Sequence, residues 1–406
     1  MRIVSVTAHV PYEGVPHAGG QYVLAHLRAL LSRGHEVTLV APAWRGNDDA
    51  ARRLRAEADV EVILCAPRST GRVAEWWDIQ QIRLFPVRPP RRFHRALVTS
   101  AAVRRAVRRA DVVEAQWTEL GWTIRALRGI NPAARHVVIA HDVISQTYER
   151  VFATTRPATP ARLLAHWRSA SVARDERRVY RDADGVLAFS GKDAAYVRGL
   201  SAGRRGDVLR PPFPTPANAS SEPPAGPPTV LFVGAFFRDV NAEAAHRLID
   251  EIIPLVRRDH PEVRFVLAGA GPSDRMRAAA AADPLLEVTG EVGSLDPFYA
   301  RATAAVVPLR MGAGLAFKTV DALTRGIPVV STTVGAEGLM GEGAAEGLTV
   351  ADDSAAIAAA LSGIVADPAG SWRSARTTAA WARAEFSAET FPHRLERALT
   401  SAGGPS

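Results

Sequence analysis

Cysteine is all but missing from this chain, with Cys65 alone among 406 residues. One thiol excludes an internal disulfide and any cysteine-built zinc site, and its place in the apolar run at residues 60–66 reads as a small buried hydrophobe. Long apolar runs are missing too. None approaches the ~20 residues of a membrane-spanning helix, so no helical span is expected. His-x-x-x-His and zinc-type spacings are absent, as is a Walker A loop, which disfavours a zinc hydrolase and a nucleoside triphosphatase. No metal or other cofactor is expected. Lysine is nearly missing as well: only Lys192 and Lys318 stand against 48 arginines.

The formal net charge is +8, and its distribution is more informative than its total. Residues 1–190 hold 29 basic and 18 acidic side chains, whereas residues 191–406 hold 21 and 24. The positive excess is therefore confined to the first half. The chain enters a strand pattern at once, without the succession of a secretory signal, and a cytoplasmic location is the expectation.

What the chain does have is alternation. Apolar strand-like runs at residues 2–8, 36–41, 60–66, 111–117, 136–141 and 185–190 are separated by helical patterns, among them residues 23–31, 96–109 and 162–181. This is the signal of βαβ units around a mainly parallel sheet. Residues 210–228 then carry eight prolines and no periodicity, the composition of a semi-rigid linker. Strand runs resume at residues 230–234, 263–268, 286–290, 304–308 and 328–332, and helical patterns close the chain. The expected class is α/β, with two Rossmann-like doubly wound domains facing across a cleft. The expected boundaries are residues 1–209 for the first domain, 210–228 for the linker, 229–385 for the second domain, and 386–406 for a last helix and tail.

Open α/β sheets bind ligands at the carboxyl ends of their strands, so candidate residues should follow strands. Gly19 and Gly20 follow the first strand and open a helix, where they read equally as a close-approach loop for a phosphate or sugar and as a tight turn. Gly312, Ala313 and Gly314 stand between a strand and the helical stretch 317–324. Lys318 and Asp321 share one face of that stretch. A lysine at a helix N-terminus opposes the helix dipole unless an anion compensates it, which suits a point charge on a diphosphate; a solvated surface lysine is the alternative. His141 and Asp142 end a strand whose preceding residues are apolar. There the histidine reads either as a donor to a substrate hydroxyl or as a residue held by local backbone.

The order of these stretches resembles the retaining GT-B glycosyltransferases of family 4, also called the group 1 type. Most of the chain takes part. The resemblance is strongest over VLFVGAFFRDVNAEAAHRLIDEIIPLVRRDHPEVRFVLAGAGP and VTGEVGSLDPFYARATAAVVPLRMGAGLAFKTVDALTRGIPVVSTTVGAEGL, from residue 230 to residue 339. It implies the transfer of a hexose-type sugar from a nucleoside-diphosphate donor without a metal. It further implies that Gly234 lies near the diphosphate, Val292 against the base, Lys318 on a phosphate and Asp321 at the ribose. Gly19, Gly20, His141 and Asp142 match the glycine and histidine loops that face the donor sugar, which makes His141 and Lys318 the candidate catalytic residues. Two departures accompany the match: Ala313 stands where many members carry the first Glu of a Glu-x7-Glu pair, and Asp321 replaces the second. Arg238 is the nearest equivalent of an arginine common after the first donor-domain strand.

In this architecture the N-terminal domain takes the acceptor, so its positive charge points to an acidic acceptor or to an anionic membrane surface at the inner face of the membrane. The stretch 68–95 adds Trp76, Trp77 and Phe93 among its arginines and interrupts the regular alternation. It reads as a sugar-stacking or membrane-interface segment, or as a solvated basic loop with packed aromatics. Polysaccharide, glycolipid and specialised-metabolite acceptors are all compatible. Nucleic acid is disfavoured, because charge alone suggests it and it leaves the two-sheet architecture and the Lys318 region unexplained. A nucleotide-sugar epimerase and a degenerate, non-catalytic nucleotide-sugar-binding protein are the remaining alternatives.

Overall fold

A computed structural model describes residues 1–15, 17–43, 46–65, 71–157, 159–202, 206–214, 222–341 and 347–401, with residues 72, 74 and 75 by backbone alone. The chain forms two compact units, Met1–Pro211 with Glu389–Ser406, and Pro212–Ala388.

The first unit is built on a wholly parallel sheet of seven strands. They are β1 (Arg2–Val6), β2 (Glu36–Pro42), β3 (Glu61–Cys65), β4 (Val112–Gln116), β5 (Arg135–Ala140), β6 (Gly185–Ala188) and β7 (Asp207–Val208), in the order β3-β2-β1-β4-β5-β6-β7. Strands covered on both faces must be apolar nearly throughout. That explains why β5 reads as a continuous apolar run from Val137 to Ala140, whereas β4, also buried at every position, departs from the rule with Glu114 and Gln116.

The helical pattern over residues 96–109 is two helices, Arg91–Thr99 and Ala101–Arg109, because Ser100 takes up extended backbone and accepts the Val103 N–H as an N-cap. Leu97, Val103 and Val107 from this pair are fully buried, each contributing about 1.5–3 kcal/mol of apolar burial. The basic stretch expected to interrupt the alternation contributes a helix of its own, Arg72–Leu84, and Phe93 turns out to be a core residue. Residues 66 and 68–70 of that reading lie outside the described residues.

The last helix, Phe391–Thr400, belongs to the first unit. Its Leu395 and Leu399 are buried, the Phe391 ring lies 6.1 Å from Tyr22, and Glu396 accepts from Arg33 at 2.8 Å. Phe213 is held within the second unit, donating its N–H to the Phe386 carbonyl at 2.8 Å, with its ring 5.2 Å from Phe317. Linker residues 215–221 and tail residues 402–406 lie outside the described residues.

The second unit repeats the plan with six parallel strands. These are β8 (Thr229–Val233), β9 (Arg264–Ala268), β10 (Leu286–Val288), β11 (Ala304–Val307), β12 (Val329–Ser331) and β13 (Leu348–Val350), ordered β10-β9-β8-β11-β12-β13. Neither β7 nor β13 is marked in the sequence, since two or three residues at a sheet edge are too few for a period to show.

Candidate functional site

In a doubly wound sheet the strand order reverses at one place, and the loops leaving the two strands there part to opposite faces and open a crevice. The topology sets that place between β1 and β4 in the first unit and between β8 and β11 in the second. All the expected site residues except Val292 follow β1, β5, β8 or β11, the strands at or next to these two points.

In the first unit the glycines have a steric explanation. Gly19 and Gly20 lie in the first turn of the helix Ala18–Ser32, capped by His17, whose Nδ1 accepts the Gly20 N–H at 2.9 Å. A Cβ on Gly19 would stand 2.9 Å from the Trp117 indole, and one on Gly20 2.6 Å from the Val15 side chain. Trp117 follows β4 directly and holds φ at +73°. A bulky residue in that region costs on the order of 1–3 kcal/mol, which the surroundings must impose. They do so by stacking: the His141 ring lies 4.4 Å from the Trp117 ring, with Tyr22 and Phe189 each 4.9 Å from His141.

His141 is held by a side chain rather than by local backbone. Behind it runs a buried chain of polar groups: the Tyr22 hydroxyl is 3.2 Å from His26 Nδ1, His26 Nε2 is 2.9 Å from Glu114, and Gln116 Nε2 donates to Glu114 Oε1 at 3.0 Å. A carboxylate only accepts, so the Gln116 amide is fixed with its oxygen toward His141 Nε2, 3.2 Å away. That nitrogen must carry the proton, and Nδ1 is left as the acceptor. Burial, then the charges of His26 and His17, holds the His141 pKa well below 6.5, so the ring is neutral. Burial alone would raise Glu114, but the His26 charge and hydrogen bonds from His26, Ser5 and Gln116 keep it below its ordinary value.

Asp142 faces a second polar cluster. Its carbonyl accepts from Thr118, and its charge helps burial, the larger cause, to push Glu119 up to about 8. Glu176 accepts the N–H groups of Ile144 and Ser145 at the start of the helix Ile144–Thr154, yet burial pushes it up to about 7. The chain has one Asp-x-Asp triplet, Asp182-Ala183-Asp184, a pattern used for metals in other nucleotide-sugar enzymes. Here it precedes β6, at the amino edge of the sheet, with Asp184 accepting the His136 N–H and pairing with Arg128, both at 2.8 Å. Among the described residues no three His, Cys, Asp or Glu side chains are grouped to hold a metal.

The second unit is arranged around charge. After β11 the backbone passes through Gly312 at φ +151° and Gly314 at φ +76°, both in the region that favours glycine, and enters the helix Phe317–Thr324. Thr319 anchors the first turn by donating to the Gly335 carbonyl at 2.7 Å. Lys318 is half-buried, its Nζ 4.7 Å from the centre of the Phe232 ring and 2.7 Å from Asn241 Oδ1. Asn241 in turn donates to the Ala235 carbonyl at 2.9 Å, which ties the loop after β8 to the lysine. Burial, and then the like charge of Arg238, lowers the Lys318 pKa to about 7. Two cations and a glycine turn, one cation poorly solvated, make an arrangement whose chemistry suits an anion.

The remaining residues are placed as follows. Gly234 is buried, and the Phe236 N–H beyond it reaches the Ala270 carbonyl at 2.7 Å. A Cβ on Gly269 would meet the Gly234 oxygen at 2.0 Å, so the loops after β8 and β9 touch through backbone. Asp321 is committed within its helix to Arg325 at 2.9 Å, which also pairs with Asp296 at 2.8 Å. Val292, half-buried, follows β10 at the sheet edge. Gln116, Trp117, Glu119 and Asn241 belong to these sites without having been singled out from sequence. Position after a strand marks Trp117, whereas nothing in the local sequence marks Asn241.

Comparison with known proteins accords with this geometry. Residues 19–209 match the family model "Glycosyltransferase Family 4", and residues 227–367 match "Glycosyl transferases group 1". Glycogen synthase of Mycobacterium tuberculosis is 27% identical over 280 residues, covering 62% of this chain and 64% of the relative, so the chain spans less than two thirds of the curated relatives it matches. Among solved structures, sucrose-phosphate synthase from Thermosynechococcus elongatus superposes with a TM-score of 0.69 at 17% identity, over 97% of each chain. The Anabaena protein HepE, solved with UDP and glucose, superposes at 0.66 and 14%, over 99% of this chain and all of that one. The chain belongs to the family 4, group 1 glycosyltransferases and has their two-domain GT-B fold.

Proposed function

We propose that this member of the family transfers a hexose-type sugar from a nucleoside diphosphate to an acceptor hydroxyl, with retention at the anomeric carbon and without a metal ion. The observation that carries the proposal is Lys318: its ammonium rests on Phe232, and burial and Arg238 lower its pKa to about 7. A diphosphate there relieves that electrostatic cost. In the reaction the bond from the anomeric carbon to the β-phosphate oxygen breaks, and the acceptor oxygen forms its bond on the same face. The acceptor proton passes to the departing phosphate oxygen. Lys318, Arg238 and the amides of the Gly312–Ala313–Gly314 turn stabilise the charge that develops on the leaving group.

His141, neutral and with Nδ1 as acceptor, takes a hydrogen bond from a hydroxyl of the donor sugar, and Trp117 gives that sugar a flat apolar wall. Asp321 is assigned to the ribose and Val292 to the base. The positive charge of the first unit suits an acidic acceptor, and the cytoplasm, where nucleotide sugars are made, is the proposed location. Solved complexes of HepE with UDP and glucose support the donor class.

A thermal-shift screen of UDP, GDP, TDP and ADP and their sugar conjugates, with EDTA throughout, tests the proposal. Binding to the native state adds about 2.7 kcal/mol at a hundredfold excess over Kd, so a true donor nucleotide raises Tm measurably. No shift with any member of the panel would contradict the proposal.

A further inference from the structure

The first unit carries an apolar surface that its fold does not use. Among the described residues, ten of the fifteen exposed large apolar side chains fall between Val73 and Trp167. In the helix Arg72–Leu84, Val73, Trp76, Trp77 and Leu84 are 72%, 52%, 60% and 48% exposed and recur at the spacing of one helix face. Along the helix Pro160–Asp182, Leu163, Leu164 and Trp167 are exposed on its first turns. Arg168 joins the two by donating to the Arg83 carbonyl at 3.1 Å, which ties the end of the first helix to the first half of the second. Single exposed hydrophobes are ordinary, but a cluster with three tryptophans is not.

Arginine dominates the charge around the cluster, although the first helix also carries Glu75 and Asp78. From residue 79 to residue 110 the chain has nine arginines and no acidic residue, and from 150 to 174 five arginines and none. Arg83, Arg91, Arg95 and Arg156 of these are exposed. A second copy docking through this face would set arginine against arginine. An acidic surface with an apolar interior satisfies both features, and tryptophan rings suit the boundary between headgroups and acyl chains.

We propose that the exposed faces of the helices Arg72–Leu84 and Pro160–Asp182 dock the protein on an anionic lipid leaflet, the tryptophans and leucines entering the interface and the arginines meeting lipid phosphates. Membrane capture through this face is independent of the transfer reaction and requires no nucleotide.

The test is flotation of the full-length protein with vesicles of phosphatidylcholine alone or with about one third phosphatidylglycerol, at about 0.1 M and about 0.5 M salt. Flotation with the anionic vesicles, much reduced at the higher salt, is the expected result. The triple variant Trp76→Ala, Trp77→Ala, Trp167→Ala should partition at least about tenfold more weakly, since the loss of buried apolar area weakens insertion. Its thermal unfolding should stay cooperative near the wild-type midpoint. A milder variant, Leu163→Ser, should lose part of the binding and guards against misfolding of the first. Bromolipid quenching of tryptophan fluorescence in the wild type, reduced in the triple variant, would place the rings in the interface. Absence of flotation, flotation that the tryptophan variants leave unchanged, or a dimer in vesicle-free solution that the triple variant dissolves would each overturn the proposal.

Discussion

The two units solve the same topological problem with opposite chemistry. Each brings its candidate residues to where a parallel sheet reverses strand order, between β1 and β4 or between β8 and β11. In the first unit the place is filled by rings, Trp117 on His141 with Tyr22 and Phe189 around them, and the histidine is kept neutral. In the second it is filled by a glycine turn and two cations, Lys318 and Arg238. A stacked neutral surface with a directed acceptor suits hydroxyls and the apolar face of a sugar, whereas a poorly solvated ammonium suits phosphate. Sheet topology thus sets where a ligand would go in each unit, and the side chains decide which chemistry it would meet.

Breaking the second unit should have the largest effect. Lys318→Ala should lower kcat by about 10²–10³, the loss typical of one preorganised donor to a developing charge, while thermal unfolding remains cooperative. Steady-state turnover of the donor checks this, and undiminished turnover would remove Lys318 from the leaving-group role.

Gly19→Ala should break the first unit alone. Its Cβ would stand 2.9 Å from the Trp117 ring that supports His141. Displacing that stack should cost about ten- to a hundredfold in turnover through misplacement of the sugar, with nucleotide affinity unchanged. Calorimetric titration of the nucleoside diphosphate alongside turnover separates the two.

A pH titration sharpens the comparison. Burial, and then Arg238, lowers the Lys318 pKa to about 7 in the free protein, and a bound diphosphate should raise it. Binding therefore takes up a proton above pH 7, and nucleotide affinity should be flat below that pH and fall up to about tenfold per unit above it. A neutral His141 adds no such dependence near pH 7. Affinity that stays constant from pH 6 to pH 9 would contradict the account of Lys318.

The smallest effect concerns stability. Glu119 rises from 4.5 to about 8 on folding, so the folded unit holds a proton that the unfolded chain releases. Its contribution is fully present below pH 4.5 and is lost as pH rises through 8. Glu119→Gln should flatten the decline of Tm across that window, by about 2–4 °C for each kcal/mol involved. An unchanged slope would show that Glu119 does not hold that proton.

Sequence alone revealed the parallel strands and the glycine turn before Lys318, because period and composition are local properties. Legibility failed where function is assembled across distance. Asn241 reaches Lys318 over 77 positions, and His26 meets Glu114 over 88, so neither pairing leaves a spacing to read. Gly19 was placed correctly in the chain, but its packing against Trp117 depends on a ring that arrives from β4. Ser100 shows the converse: one local cap divides a helical pattern that periodicity had joined.

The division of labour between the units is tested most directly by titrating the preferred nucleoside diphosphate, in EDTA, into wild type, Lys318→Ala and His141→Ala. Affinity lost in Lys318→Ala and kept in His141→Ala, with transfer lost in both, is the predicted result. Affinity kept in Lys318→Ala and lost in His141→Ala would contradict the assignment of phosphate to the second unit and sugar to the first.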